Sequence, residues 1–209
     1  MKTTIYFSTL MVALFALLIL PAKINAQQQR QVRVQVDNIE TETRRSPRFS
    51  SEQGYSEATP QDEKWLITAV GYEVRGGERG WVDDLTFVWH MLMLNGDVPR
   101  VLMQKTVTYQ DVYQEDDHYA VIFLRPKVIR RYYEEGGKIS ERDIIIHLEV
   151  KHNGRTLTEE NYNARSDLPE RWWTFSPPKV NVVEHGLLAR PETPFAPLDY
   201  DFYEFIKPE

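Results

Sequence analysis

The chain contains no cysteine in 209 residues. A disulfide framework, a thiolate nucleophile and a lipid-bearing cysteine behind a leader are therefore all excluded. The five histidines include no His-x-x-x-His or His-x-His pair, so no short-range metal-ligand spacing is present. There is no Gly-x-Ser-x-Gly elbow for a hydrolase serine, and no Asp-x-Asp-x-Asp-Gly loop for calcium around Asp199, Asp201 and Glu204. Basic residues are in deficit, 25 against 31 acidic, a formal charge of -6. Such a surface repels phosphate backbones, which argues against a nucleic-acid partner. The apolar run at residues 10–20 is eleven long, short of the roughly 20 residues that span a bilayer.

That run is instead built like an export signal. Lys2 supplies the positive start, Pro21 ends the apolar helix, and Ala26 offers a small residue for cleavage. Removing residues 1–26 takes away Lys2 and Lys23. It leaves 183 residues with 23 basic and 31 acidic side chains, a charge of -8. The expected organisation is a signal peptide (1–26), an N-terminal strand with a polar linker (27–62), and one domain with an aromatic C-terminal tail (63–209). An exported domain of this size without disulfides depends on its core alone. That suits a bacterial envelope protein in the periplasm, at the outer membrane or outside the cell, with no membrane span once the signal is gone.

Residues 85–94, Leu-Thr-Phe-Val-Trp-His-Met-Leu-Met-Leu, carry the strongest pattern. Read with period two, Leu85, Phe87, Trp89, Met91 and Met93 share one face. Thr86, Val88, His90, Leu92 and Leu94 share the other, which is nearly as apolar. A strand that must bury both faces belongs in the middle of a covered sheet. Asp83 and Asp84 would suit a helix start there, but Asn95-Gly96-Asp97 is hairpin chemistry, and a second alternating run follows from Val101 to Val112. His90, on its apolar face, reads as a packed histidine without a ligand partner.

Other strands are expected at Val32–Val36, at Trp65–Val74, which Gly76, Gly77 and Gly80 close with a turn into Trp81, and at His118–Leu124 and Val180–Val183. The first stands apart from the body, free to pair back onto it or to reach a partner, because residues 39–62 read as a polar loop. Pro126 begins a short helix that ends at Gly136-Gly137 and crosses between sheets. Ile144, Ile146, Leu148 and Val150 alternate with polar residues up to Asn153-Gly154, a type I′ hairpin turn. That turn sets His152 against Arg155, Lys151 against Thr156 and Val150 against Leu157. Continued unchanged, it would place Glu159 against Leu148 on the core face, so the returning strand should end or bulge near Thr158. The expected fold is all-β: an immunoglobulin-like antiparallel β-sandwich with one short helix and irregular N- and C-terminal extensions. An outer-membrane barrel fits poorly, since His147, Glu149 and Lys151 would interrupt its lipid-facing band.

No cofactor, metal or catalytic residue is assigned by this reading, and an enzyme is not expected. The Glu115-Asp116-Asp117-His118 cluster reads as a solvated turn between strands in preference to a surface cation site. Trp172 and Trp173 either stack sugar rings or form a protein hot spot at the surface, or cap the open end of the sandwich; adjacent residues on an extended segment point oppositely, so at most one faces solvent. Tyr200 and Phe202 lie against the body or against another chain's sheet edge. These four aromatics are the candidate interaction surface.

The leader, the polar spacer, and Gly76-Gly77-Glu78-Arg79-Gly80-Trp81 leading into residues 85–94 resemble small exported immunoglobulin-like proteins found beside type IV pilus components in Akkermansia-type Verrucomicrobia. The aromatic end from Pro191 to Glu209 adds to the likeness. A pilus subunit proper would carry a Gly-Phe-Thr-x-x-Glu type processing site before its apolar helix, and none is present. The resemblance therefore implies assembly, anchoring or surface display, with an envelope or pilus-associated protein as partner, and transfers no site residue. The expected function is non-enzymatic protein–protein interaction in the cell envelope; the alternative is a glycan-binding module using Trp172 and Trp173.

Overall fold

The computed structural model describes residues 31–47, 64–95, 98–115, 117–133, 139–176, 179–199 and 203–208. The leader, most of the polar spacer, Gly96, Asp97, Gly136, Gly137, Tyr200 and Phe202 lie outside the described residues. The described strands are β1 (Arg33–Arg45), β2 (Lys64–Arg75), β3 (Trp81–Asn95), β4 (Val98–Tyr113), β5 (His118–Leu124), β6 (Ile144–His152), β7 (Arg155–Tyr162), β8 (Asn181–Val182), β9 (Leu187–Ala189) and β10 (Phe205–Ile206). One sheet has the order β1-β2-β5-β9. The other has the order β10-β4-β3-β6-β7, with β8 added to β4. The first, second and fifth strands thus share one sheet, and the third, fourth, sixth and seventh share the other. That is the partition of an immunoglobulin-like sandwich, with β9 beside β5 in the place of its fourth strand. These are two open sheets, not a closed barrel.

β3 lies between β4 and β6, as its two apolar faces require. Leu85, Phe87, Trp89, Met91 and Met93 are 0–1% exposed and sit in the main core between the sheets. Leu92 and Leu94 belong to a second cluster on the outer face, with Leu102, Ile145, Trp172 and Val180. A third cluster (Ile67, Val121, Phe123, Leu188, Phe195) covers the outer face of the smaller sheet. Burying each such side chain contributes about 1.5–3 kcal/mol, so three stacked layers replace the missing disulfides.

The N-terminal strand pairs in cis, antiparallel to β2, from Arg33↔Arg75 to Arg45↔Lys64. The reading of residues 39–62 as a loop is therefore corrected at its start. β1 continues through Arg45 because Ile39 and Thr41 turn inward, 7% and 9% exposed, while Glu40 and Glu42 face water. The helix α1 (Pro126–Tyr132) connects β5 in one sheet to β6 in the other and buries Pro126, Val128 and Ile129. It stops at Tyr132, and Tyr133 instead turns in to donate its hydroxyl to Asp143 Oδ2 at 2.6 Å.

Both tight turns have the expected backbone. Asn153 and Gly154 have φ of 51° and 74°, the two positive values of a type I′ turn. Beyond it His152↔Arg155 and Lys151↔Thr156 pair as read from the sequence. The bulge then comes one residue early: Leu157 is left over and Val150 pairs with Thr158. The strand continues to Tyr162, with Glu159 set opposite Glu149 on the outer face. In the other turn, Glu78 and Trp81 exchange both backbone hydrogen bonds (2.9 and 3.0 Å) around Arg79 and Gly80, at φ of 55° and 87°.

Candidate functional site

The outer face of the larger sheet collects polar side chains that period two keeps off the core. His90 on β3 lies opposite Gln104 on β4 and His147 on β6, and His147 lies opposite Asn161 on β7. The next row holds Thr106, Val88, Glu149 and Glu159 by the same register. Glu149 Oε1 is 3.5 Å from His90 Nε2 and 4.0 Å from His147 Nε2, and Glu159 Oε2 is 4.0 Å from His147 Nε2. His147 Nδ1 is 3.0 Å from Asn161 Oδ1. Both Nε2 atoms are buried without a hydrogen-bond partner.

A segment after β7 roofs this face. Trp172 and Trp173 sit in a 3₁₀ turn (Trp172–Thr174), where Trp172 enters the outer apolar cluster at 4% exposure. Trp173 stacks on the His147 ring, with centroids 3.5 Å apart and planes 3° from parallel. Trp172 is thus a cap, and Trp173, half-buried, uses one ring face on the histidine. Burial, then the neighbouring His147, lowers the pKa of His90 to about 4, so the ring is neutral at pH 7 and its approach to Glu149 is not an ion pair. Burial alone would raise the pKa of Glu149. The 2.8 Å Lys151 contact and the two imidazoles more than offset this and hold it low. Neither ring is hydrogen-bonded to a hydroxyl among the described residues, so the nucleophile–base contact of a hydrolase is not formed there.

The second notable place is the free edge of β4. At one end β8 pairs parallel with it, and Val183 N–H donates to Leu102 O at 3.0 Å. At the other end β10 pairs antiparallel with Tyr109 and Gln110, and Lys207 N–H donates to Thr108 O at 2.8 Å. Since Leu102 and Thr108 direct their backbone groups outward, alternation makes Gln104 and Thr106 do the same. No described strand lies beside them. The open stretch from Met103 to Val107 is about 17 Å long at 3.4 Å per residue. It borders a groove of about 610 Å³ whose lining includes Val107, Ala189, Pro191, Ile206 and Pro208. Lys105 reaches across it to Glu192 at 2.9 Å.

The four predicted aromatics are therefore not brought together as one exposed surface among the described residues. Trp172 is buried, Trp173 stacks on His147, and Tyr200 and Phe202 lie outside the described residues. The neighbouring tail does dock in cis, through β10 on β4 and through Tyr203 against Arg190, whose guanidinium lies 4.7 Å from the ring centroid. His118 is also corrected. Its side chain is 1% exposed and bonded to Glu204 at 2.9 Å, so it does not belong to a solvated turn. The histidine pair was missed because the β3–β6 register is long-range. The available signal was that His147 and Glu149 alternate with three core isoleucine and leucine positions and must share an outward face.

An all-β, two-sheet sandwich with a roofed polar face and an open stretch of edge on β4 defines the class of molecule. Within that class, the chain belongs to the family whose model matches residues 25–209. It is similar to a protein from Akkermansia muciniphila known from a crystal structure, at 26% identity and a TM-score of 0.73, over 87% of this chain and 96% of that one. No curated protein matches. Among the described residues no helix is long and apolar enough to cross a membrane.

Proposed function

We propose that this protein is a non-enzymatic, exported β-sandwich that acts by protein–protein interaction in the bacterial cell envelope, within a type IV pilus-like or adhesive assembly. A partner binds by adding an extended apolar segment to β4. The observation that carries the reading is the gap between β8 and β10, where Gln104 and Thr106 have no described strand beside them and Thr106 lines a largely apolar groove. Main-chain bonds to such an edge supply affinity, and the adjoining groove supplies side-chain selectivity. Lys105 occupies an inward-facing position held by Glu192, a charge that discourages indiscriminate strand pairing. The leader-like N-terminus supports export. The similarity to an Akkermansia protein and the resemblance to exported proteins beside pilus components support the assembly. A glycan platform has less support, since Trp172 is buried and Trp173 is engaged by His147.

Thr106→Pro tests this directly. It removes an amide hydrogen that no described strand uses, a change that sheet edges tolerate. The variant should keep its far-UV circular dichroism and lose crosslinking to its envelope partner by tenfold or more. A variant that folds and crosslinks as before would overturn strand addition at β4. A wild-type protein that stays monomeric and partnerless in envelope extracts would overturn the interaction role itself.

A further inference from the structure

Outside both places described above, His118 at the start of β5 meets two carboxylates from distant parts of the chain. Its Nε2 lies 2.7 Å from the carbonyl oxygen of Tyr113, which accepts only if Nε2 carries the proton. Its Nδ1 then faces Glu204 Oε1 at 2.9 Å and Glu115 Oε1 at 3.9 Å. The three ligand atoms all lie within 4.8 Å of one another. A neutral ring would point a lone pair at two carboxylates, so this arrangement calls for a positive charge at Nδ1. A ring nitrogen fixed by a backbone carbonyl on its far side is also the usual support for a metal-bound histidine.

A second observation points into the same place. Tyr72 pairs with His118 across β2 and β5, and the rings stack with centroids 5.0 Å apart. The Tyr72 hydroxyl is buried and has no hydrogen-bond partner. A donor so placed lacks an acceptor that a ligand held at this site would provide.

We infer that Glu115, His118 and Glu204 form a binding site for one divalent transition ion of the zinc class. One imidazole nitrogen and two carboxylate oxygens suit such an ion better than calcium or magnesium, which favour all-oxygen shells. Three protein ligands leave a position for water. Glu204 immediately precedes β10, so the ion ties the C-terminal segment to the start of β5. The inference does not depend on strand addition at β4.

The test is titration of the chelator-treated protein with zinc chloride by calorimetry, repeated with calcium chloride. One saturable zinc site is expected, weakened at least tenfold by Glu204→Gln and by His118→Gln, with calcium binding at least tenfold weaker than zinc. Cobalt(II) should give a four- or five-coordinate visible spectrum that Glu204→Gln removes. Because His118→Gln replaces a buried residue, near-UV circular dichroism is read alongside, and the more exposed Glu115→Gln serves as a surface variant that should also weaken zinc. Absence of saturable zinc binding would overturn the site. So would zinc affinity unchanged in a folded Glu204→Gln protein, or calcium binding as tightly as zinc.

Discussion

His90 makes the outer face of the larger sheet sensitive to acid. Its pKa falls to about 4 in the fold, against an ordinary value near 6.5, because burial and the adjacent His147 disfavour the charged ring. Lys151 opposes its protonation as well, and Glu149 alone favours it among the groups acting on it. Over the interval between those two values the unfolded chain binds more protons than the folded one. Stability contributed by the neutral ring is therefore complete above pH 6.5 and lost as pH falls toward 4. The loss should be about 2 kcal/mol, discounting the full shift for the ring's remaining solvent contact. Urea midpoints measured from pH 7.5 to 4 should show this slope, and His90→Gln should flatten it. Equal slopes in the two proteins would remove His90 as the cause. Trp173, stacked on His147, offers a fluorescence reporter in the same experiments.

At the scale of elements, two glycines separate backbone strain from collision. Gly154 closes the β6–β7 hairpin at φ 74°, and a Cβ added there meets nothing within 4 Å. Gly77 has φ 84°, and its Cβ would lie 2.1 Å from the Trp81 carbonyl oxygen. Gly154→Ala should cost about 1 kcal/mol, the price of a left-handed backbone alone. Gly77→Ala should cost clearly more, about 2–3 kcal/mol, because the Glu78–Trp81 turn must also open. Denaturant midpoints rank the two, and equal losses would show that the turn relaxes freely. These turns were legible because positive φ leaves a mark in residue type. β3, β4 and β6 were legible because apolar residues alternate over long spans. The outer half of β1 was misread because an edge strand buries so little, although Ile39, Thr41 and Thr43 keep a β-branched residue at every second place. The β7 bulge was anticipated from the clash of Glu159 with the core face, while its exact place depends on how Leu157 packs. The contacts His90–His147 and His118–Glu204 were not legible at all. They join residues 57 and 86 positions apart through register and tail docking, which no local pattern encodes.

For the whole molecule, the C-terminal segment is part of the fold rather than an appendage. After β9 the chain turns back across the outer face of the smaller sheet. There Phe195 stacks on Phe123 at 5.1 Å and meets Trp65 edge-on at 5.8 Å. Arg190, 7% exposed, donates to the carbonyls of Ala196 and Leu198 at 3.3 and 2.9 Å and so fixes the path of this segment. The chain then reaches β4, where Phe205 pairs through its backbone while its ring stays 65% exposed. Two phenylalanines ten residues apart thus have opposite roles. Phe195→Ala should cost about 3–4 kcal/mol through lost burial and the cavity left against Trp65 and Phe123. Phe205→Ala should change stability by less than about 0.5 kcal/mol, as an exposed side chain does. If the tail were only loosely attached, Phe195→Ala would leave the main unfolding transition unchanged and merely free the segment to proteases. If the outer layers fold with the sandwich, the transition should stay single and shift, with tryptophan fluorescence and far-UV circular dichroism moving together. The stacking of Trp65, Phe123 and Phe195 across β2, β5 and the C-terminal segment favours the second result.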